Sequence, residues 1–267
     1  MNIVLWIAND SNQKALANKI HASFPLAGIV TESRKHTTKI TLAKLFEKIV
    51  EKLFLPSIGA SWWGMKRKYD KTYPTYPSVK TIDVENINSP NAFEFTTRLS
   101  PDLIIVSGTR LVKEKMLSIN PTIGSINLHT GLSPYIKGGP NCTNWCIATG
   151  QFHLIGNTIM WIDEGIDSGN IVTTQHTTFS GDEDLLAVHT KVMEHAHQLY
   201  VNAITALAKG LRTSIKQNSI ANGKTYYSKQ WGLKEKILLV KNFKLFKQKI
   251  NSSEVNRLKL DVITVDV

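Results

Sequence analysis

Cysteine is nearly absent: the 267 residues hold only Cys142 and Cys146. Two thiols make no disulfide framework. Four residues apart in a segment that reads as helix, they share one face and are expected as two small buried hydrophobes rather than metal ligands, so no metal site is expected. A reducing, cytoplasmic setting fits this usage. Long apolar runs are also missing. None approaches the ~20 residues that span a bilayer, and the start, Met1-Asn2-Ile3-Val4-Leu5-Trp6-Ile7, lacks the basic opening and apolar stretch of a secretion signal. Glycine is missing from the loop after this first apolar segment, Ala8-Asn9-Asp10-Ser11-Asn12. Backbone amides approach a phosphate most easily through glycine, so any substrate contact here falls to the side chains of Ser11 and Asn12. Acidic residues are scarce in one region only. From Lys209 to Lys259 there are thirteen Lys/Arg against two Glu, which matches the +11 excess of the whole chain. The rest of the chain is close to neutral, and the tail is the part that would seek anions.

What is present has α/β order. Residues 2–8 read as a strand, Leu16, Ile20 and Phe24 recur at helical spacing, and 26–30 read as a second strand. Such a β-α-β start is typical of a Rossmann-like, doubly wound, mostly parallel sheet, whose ligands bind at the carboxyl ends of the strands. Strands are expected at 80–84, 103–106, 123–127, 155–161 and 171–177, the last two antiparallel, with helices at 90–99 and 182–208. An insertion at about 35–76 breaks this rhythm. Ile40, Ala43, Leu45, Phe46, Ile49, Val50, Leu53 and Phe54 form an amphipathic helical pattern. Trp62-Trp63-Gly64-Met65-Lys66-Arg67-Lys68 and an extended aromatic loop through Tyr76 follow. Trp62, Trp63 and Tyr76 could stack a base while the cations meet phosphate; a surface helix with a packed aromatic loop is the equal alternative. We therefore expect a catalytic domain over 1–209 and a small basic extension over 210–267. In the extension Leu239, Phe243, Phe246 and Ile250 share a helical face. That face either packs on the body or, with the lysines around it, lies on an anionic membrane surface.

The chemistry concentrates between Ser125 and Gly169. Asn127 and His129 are two apart on an extended segment, so both point to one side. The chain then turns at Ser133-Pro134 and Gly138-Gly139-Pro140. About forty residues on, Asp163-Glu164-Gly165-Ile166-Asp167-Ser168-Gly169 returns a carboxylate in a glycine-punctuated loop. An amide and a protonated imidazole can stabilise an oxyanion, and a carboxylate can handle the proton, which together suit acyl transfer.

These two motifs, in this order and at this separation, resemble those of the folate-dependent formyltransferases, most of all the sugar N-formyltransferase branch. Thr130 stands where that family usually has proline. Ser100-Pro101-Asp102-Leu103-Ile104-Ile105-Val106-Ser107-Gly108 is similar to the family's buried central strand, and the likeness is clear over about 80–205. The resemblance implies 10-formyltetrahydrofolate as formyl donor and an amine as acceptor. It implies that Asn127 donates to the developing oxyanion, that His129 is a second donor kept charged by a carboxylate, and that Asp167, rather than Asp163, is that carboxylate and the proton acceptor. It places the folate ring against Ser107, Gly108, Thr109, Arg110 and Leu111, with Asp163 and Gly165 from the acidic loop, where the glycines would let backbone approach the ring. Lys137 stands where relatives often carry a basic residue near the substrate.

The acceptor is read from what surrounds this core. A nucleotide-linked amino sugar, made for a surface glycan, fits the aromatic and basic insertion and the short tail. Glycinamide ribonucleotide is disfavoured by the glycine-free first loop, and initiator methionyl-tRNA by a tail too short for that branch's second domain. A folate-binding hydrolase usually carries an extra domain before the catalytic fold. A non-catalytic folate-binding protein would have no need of Asn127, His129 and Asp167 together. The expected partner is a small molecule rather than a nucleic acid. Peripheral membrane contact through the tail and a homodimer are left open.

Overall fold

The computed structural model describes residues 1–34 and 41–267. The start of the expected insertion, including Ile40, lies outside the described residues, as does the side chain of Ala43. In chain order the strands are β1 (Ile3–Ala8), β2 (Leu26–Glu32), β3 (Thr81–Val84), β4 (Leu103–Ser107), β5 (Gly124–His129), β6 (Ile136–Gly138), β7 (Gly156–Trp161), β8 (Ile171–His176) and β9 (Lys224–Tyr226). The α-helices are α1 (Ser11–Ser23), α2 (Leu42–Phe54), α3 (Pro56–Thr72), α4 (Pro90–Arg98), α5 (Glu114–Leu117), α6 (Cys142–Ala148), α7 (Leu185–Ala208), α8 (Leu233–Lys249) and α9 (Ser253–Leu260).

Seven strands form one sheet in the order β3-β2-β1-β4-β5-β7-β8. The first five are parallel, and β7 and β8 run antiparallel at one side. The apolar run of β1 is the reason for its central place. Ile3, Leu5 and Ile7 join one core with Leu16 and Ile20 of α1 and Ala196, Tyr200 and Ile204 of α7. Val4 and Trp6 point to the other face, into a core with Val30, Ile104 and Ala92 of α4. A strand apolar on both faces must be covered on both, and period-2 alternation sends successive side chains to opposite layers. Helix starts follow side-chain caps: Asp10, Thr41, Ser89, Asn141, Asp184 and Ser252 each accept a backbone N–H at the head of α1, α2, α4, α6, α7 and α9.

The chain winds outward from β1 through β2 to β3, then crosses back to place β4 on the other side of β1. That reversal opens a crevice at the carboxyl ends of β1 and β4. Tyr200 of α7 ties the sheet together beside it. Its buried hydroxyl donates toward the carbonyls of Val106 at 2.9 Å and Ile126 at 2.7 Å and lies 3.2 Å from the Val106 amide.

The basic extension returns to the body at several points. Parallel pairing of β9 with β6 makes a second, two-stranded sheet. Leu239, Phe246 and Ile250 are buried against α6 and its surroundings, with Phe243 packed beside them, and Phe246 meets Phe152 and Phe179 edge-on. Val265 pairs with Thr174 of β8. The apolar face of the tail is thus a packing face. The pattern of the insertion also forms its helix, α2, but most of its apolar side chains stay exposed. Among the described residues no helix is long and apolar enough to cross a membrane.

Candidate active site

Strand β5 delivers Asn127 and His129 to the crevice, in register opposite Met160 and Thr158 of β7. The segment after β7 carries Asp167 back over them. Asp167 Oδ2 lies 3.2 Å from His129 Nδ1 and accepts the Gly138 amide at 2.9 Å. No described residue bonds its other carboxylate oxygen, Oδ1. The Asp167 backbone is held at φ 49°, in the left-handed region, which costs a non-glycine residue energy unless its surroundings fix it. Two carbonyl contacts do so. Gln217, from the tail, donates its amide to the carbonyls of Asp167 and Gly169, both at 2.8 Å. Gly138 serves the same end. At φ 86° it lets β6 turn, and a Cβ there would stand 2.0 Å from the Tyr226 carbonyl of β9.

His129 is almost fully enclosed. Its Nε2 lies 3.1 Å from the Ile136 carbonyl and 3.6 Å from Cys142 Sγ. Burial is the largest single influence and works against a charged ring, but the Asp167 carboxylate, with Cys142 and the Ile136 carbonyl, together outweigh it and push the pKa of His129 up to about 10. Burial pushes the Cys142 thiol up, against the pull of His129, so it stays protonated beside the ring at neutral pH. Both cysteines are free and buried, as expected; the contact of Cys142 with His129 is additional. With Nδ1 on Asp167 and Nε2 on Ile136, both N–H groups of the imidazolium are engaged. Direct donation from His129 to an oxyanion, expected from the sequence, therefore requires it to leave Ile136. Its positive charge acts without that exchange. Asn127, by contrast, makes no side-chain hydrogen bond with a described residue.

Two cavities meet this group. One of about 300 Å3 is lined by Val106, Thr109, Arg110, Leu111, Asn127 and Asp167, with Asp163 and Gly165 also in its wall. The other, about 370 Å3, lies at the β1–β4 crevice and takes in Asn12, Gln13, Arg34, Trp62 and His129. The seven positions expected to face folate divide between them. Five line the first cavity, whereas Ser107 and Gly108 line the second, because Gly108 at φ 71° turns the chain at the end of β4. The missing side chain of Gly165 also makes room for the loop itself, since a Cβ there would meet Ser168 Oγ at 1.8 Å. Asp163 builds that turn, accepting the Gly165 amide at 3.0 Å and the Ser168 hydroxyl at 2.7 Å.

The expected substrate residues scatter. Trp62 and Asn12 share the crevice cavity. Ser11 is committed elsewhere, its hydroxyl donating to Asp70 of α3 at 2.8 Å. Tyr76 packs beside the core and donates to Asn9 Oδ1 at 3.1 Å. Trp63 is exposed on α3, with Lys66 5.1 Å from its ring centre. Lys137 lines a separate cleft with Ser168 and Lys216. The insertion thus contributes one aromatic wall rather than a stacked pair, because a helix turns neighbouring side chains about 100° apart.

Three participants escape sequence reasoning. Glu32, buried at the end of β2, accepts from the Arg34 side chain at 2.9 Å and from the Arg110 backbone and side chain, both at 2.9 Å. Burial raises its pKa, but the amides of Ile87 and Arg110 and the two guanidinium groups outweigh that and hold it ionised. It thereby fixes one arginine in each cavity. An acid closing an apolar strand run was its only signal. Gln13 is buried in the crevice wall with no partner for its Oε1 among the described residues. Gln217 sits in an unremarkable stretch of the tail and gives no signal at all. Among the described residues, no cluster of three or more His, Cys, Asp or Glu could hold a metal ion.

A family profile described as formyl transferase matches residues 7–204. A methionyl-tRNA formyltransferase of Citrifermentans bemidjiense is 31% identical over 140 residues, 52% of this chain and 43% of that protein. The chain thus spans less than half the length of that curated relative. Among solved structures, a sugar N-formyltransferase from a Shewanella species superposes with a TM-score of 0.57 at 14% identity, covering 91% of this chain and 88% of the other. A formyltransferase from Anoxybacillus kamchatkensis, solved with UDP-4,6-dideoxy-4-formamido-L-AltNAc and tetrahydrofolate, gives 0.53 at 18% identity, covering 93% and 97%. At such identities these likenesses establish the fold.

Proposed function

The chain belongs to the formyl transferase family, and on that premise we propose that it moves a formyl group from 10-formyltetrahydrofolate to the amine of a nucleotide-linked amino sugar used for a surface glycan. The observation that carries the reading is the Asp167–His129 pair, 3.2 Å apart, with Asn127 on the same strand, between two cavities. The smaller cavity suits the folate head: Val106, Leu111 and Ile162 offer apolar walls to a flat ring, and Thr109 and Asp163 offer polar edges. The crevice cavity, with Trp62 and Arg34, suits a base and a phosphate.

Folate, when bound, supplies the formyl carbon that the amine attacks. Asn127 donates its free amide to the oxygen that becomes negative. Imidazolium His129 stabilises that charge and holds Asp167 Oδ2 in place. Asp167 Oδ1 takes the amine proton and returns it to the leaving nitrogen. Gln217 and Gly138 fix the carboxylate so that this geometry precedes substrate.

The test is formyl transfer followed by mass spectrometry, with 10-formyltetrahydrofolate and parallel acceptors: nucleotide-linked amino sugars, glycinamide ribonucleotide and methionyl-tRNA. A gain of one formyl group on a nucleotide sugar, lost in Asp167→Asn, is the expected result. Methionyl-tRNA is the second reading, favoured by the 31% identity to an enzyme named for it. Formylation of tRNA or of the ribonucleotide would overturn the acceptor and keep the chemistry. Folate binding with no transfer to any acceptor would favour a non-catalytic binding protein.

A further inference from the structure

Helix α2 is amphipathic in the opposite sense to a normal surface helix. Its polar side faces the protein: Lys236 of α8 bridges Glu47 at 2.9 Å and Glu51 at 2.7 Å. Its apolar stripe faces out. Leu42 is 86% exposed, Phe46 65%, Leu53 66% and Phe54 74%, with Leu45 and Ile49 about half exposed between them. A soluble surface rarely leaves so many large apolar groups contiguous unless something covers them.

The charges beside the stripe indicate what does. Lys44, Lys48 and Lys52 form a row at four-residue spacing along one flank, all exposed. The two acids of the helix are already taken by Lys236. Next to it, α8 repeats the arrangement on a smaller scale: Ile237 and Val240 are exposed among Lys234, Lys241 and Lys244. A second copy of the chain would bring an equally basic surface against this one. An anionic bilayer complements both features at once, taking the leucines and phenylalanines below its headgroups and the lysines at its charged surface.

We propose that α2, with the adjoining face of α8, docks this protein in the plane of an anionic membrane. The helix lies on the bilayer and does not span it; thirteen residues are too few. Leu55 alone separates α2 from α3, the helix that carries Trp62 of the crevice cavity, so docking acts close to the proposed substrate side of the protein.

The test is co-sedimentation of the full chain with sucrose-loaded vesicles. Vesicles of phosphatidylcholine with about one-third phosphatidylglycerol are compared with phosphatidylcholine alone, at about 0.15 and 0.5 M salt. Binding is expected to the anionic vesicles and to weaken at the higher salt. Leu45→Ser/Phe46→Ser/Ile49→Ser is expected to lower the partition coefficient by about tenfold or more, and Lys44→Glu/Lys48→Glu/Lys52→Glu to abolish the preference for anionic lipid. All six sites are exposed, so the melting temperature should match wild type; circular dichroism checks this. No pelleting, or pelleting equal in wild type and the serine variant, overturns the proposal. A wild-type dimer in light scattering that the serine variant dissociates also overturns it and assigns the face to a second copy.

Discussion

Replacing Asp167 by asparagine keeps the side-chain shape and removes one charge from beside His129. The pair is 3.2 Å apart and enclosed. His129 has its pKa pushed up to about 10 although burial alone opposes the charged ring. Without the carboxylate, burial dominates, and the pKa should fall below the 6.5 of an ordinary histidine. That is a loss of at least three orders of magnitude in proton affinity, on the order of 4–5 kcal/mol. Imidazole 15N chemical shifts report the change directly: charged at pH 8 in wild type, neutral in Asp167→Asn. Stability carries the same signature. The folded pKa lies above the unfolded one, so the pair's contribution is complete below about pH 6.5 and is lost as pH rises through about 10. Wild-type melting temperature should therefore fall across that upper range, and the variant should lack this component. Transfer rate should drop by about 10²- to 10⁴-fold through loss of the proton acceptor. A variant whose His129 stays charged at pH 8, or whose turnover lies within tenfold of wild type, would refute the reasoning.

Asn127→Ala removes a side-chain amide of the smaller cavity's wall that bonds no described residue, and on the proposed mechanism should cost about 10²- to 10³-fold in kcat, with the folate dissociation constant, measured by fluorescence titration, changing far less. Gln217→Ala releases the two carbonyls that hold Asp167 in its left-handed backbone. Steady-state kinetics should show kcat down by up to about 100-fold with KM nearly unchanged, since a displacement of about 1 Å is enough for that loss; a wild-type rate would show that Gly138 suffices. Tyr200→Phe strands the buried Val106 and Ile126 carbonyls of their side-chain donor and should lower unfolding free energy by about 1–3 kcal/mol in urea titration.

Much of the fold is legible in the sequence because its signals are local. The IVLWIA run of β1 is apolar at every position, which only a strand covered on both faces tolerates. The antiparallel pair β7–β8 lies within a residue of where the apolar runs on either side of the acidic loop put it. The proximity of Asp167 to His129 comes from two linked motifs rather than from either alone. What stays hidden depends on contacts between distant segments. Glu32 looks like any acid at a strand end until Arg34 and Arg110 converge on it. Trp62 and Trp63 look like a stacking pair until helix α3 sends them to different surroundings. The α2 pattern announces a helix but not its orientation, because the choice between burying and exposing the stripe is made by Lys236, far along the chain.

The Gln217 clamp has a consequence for the timing of synthesis. It is made fifty residues after Asp167, and β9, which seats Gly138, comes later still. A ribosome adding ~5–20 residues per second leaves the acidic loop without these anchors for several seconds. The nascent chain can fold its parallel sheet in that interval, but the Asp167 carboxylate is not yet held. The Asp167 carboxylate is therefore anchored only once the segment through Tyr226 has emerged, and a ribosome stalled before it would hold a folded sheet beside an unanchored Asp167.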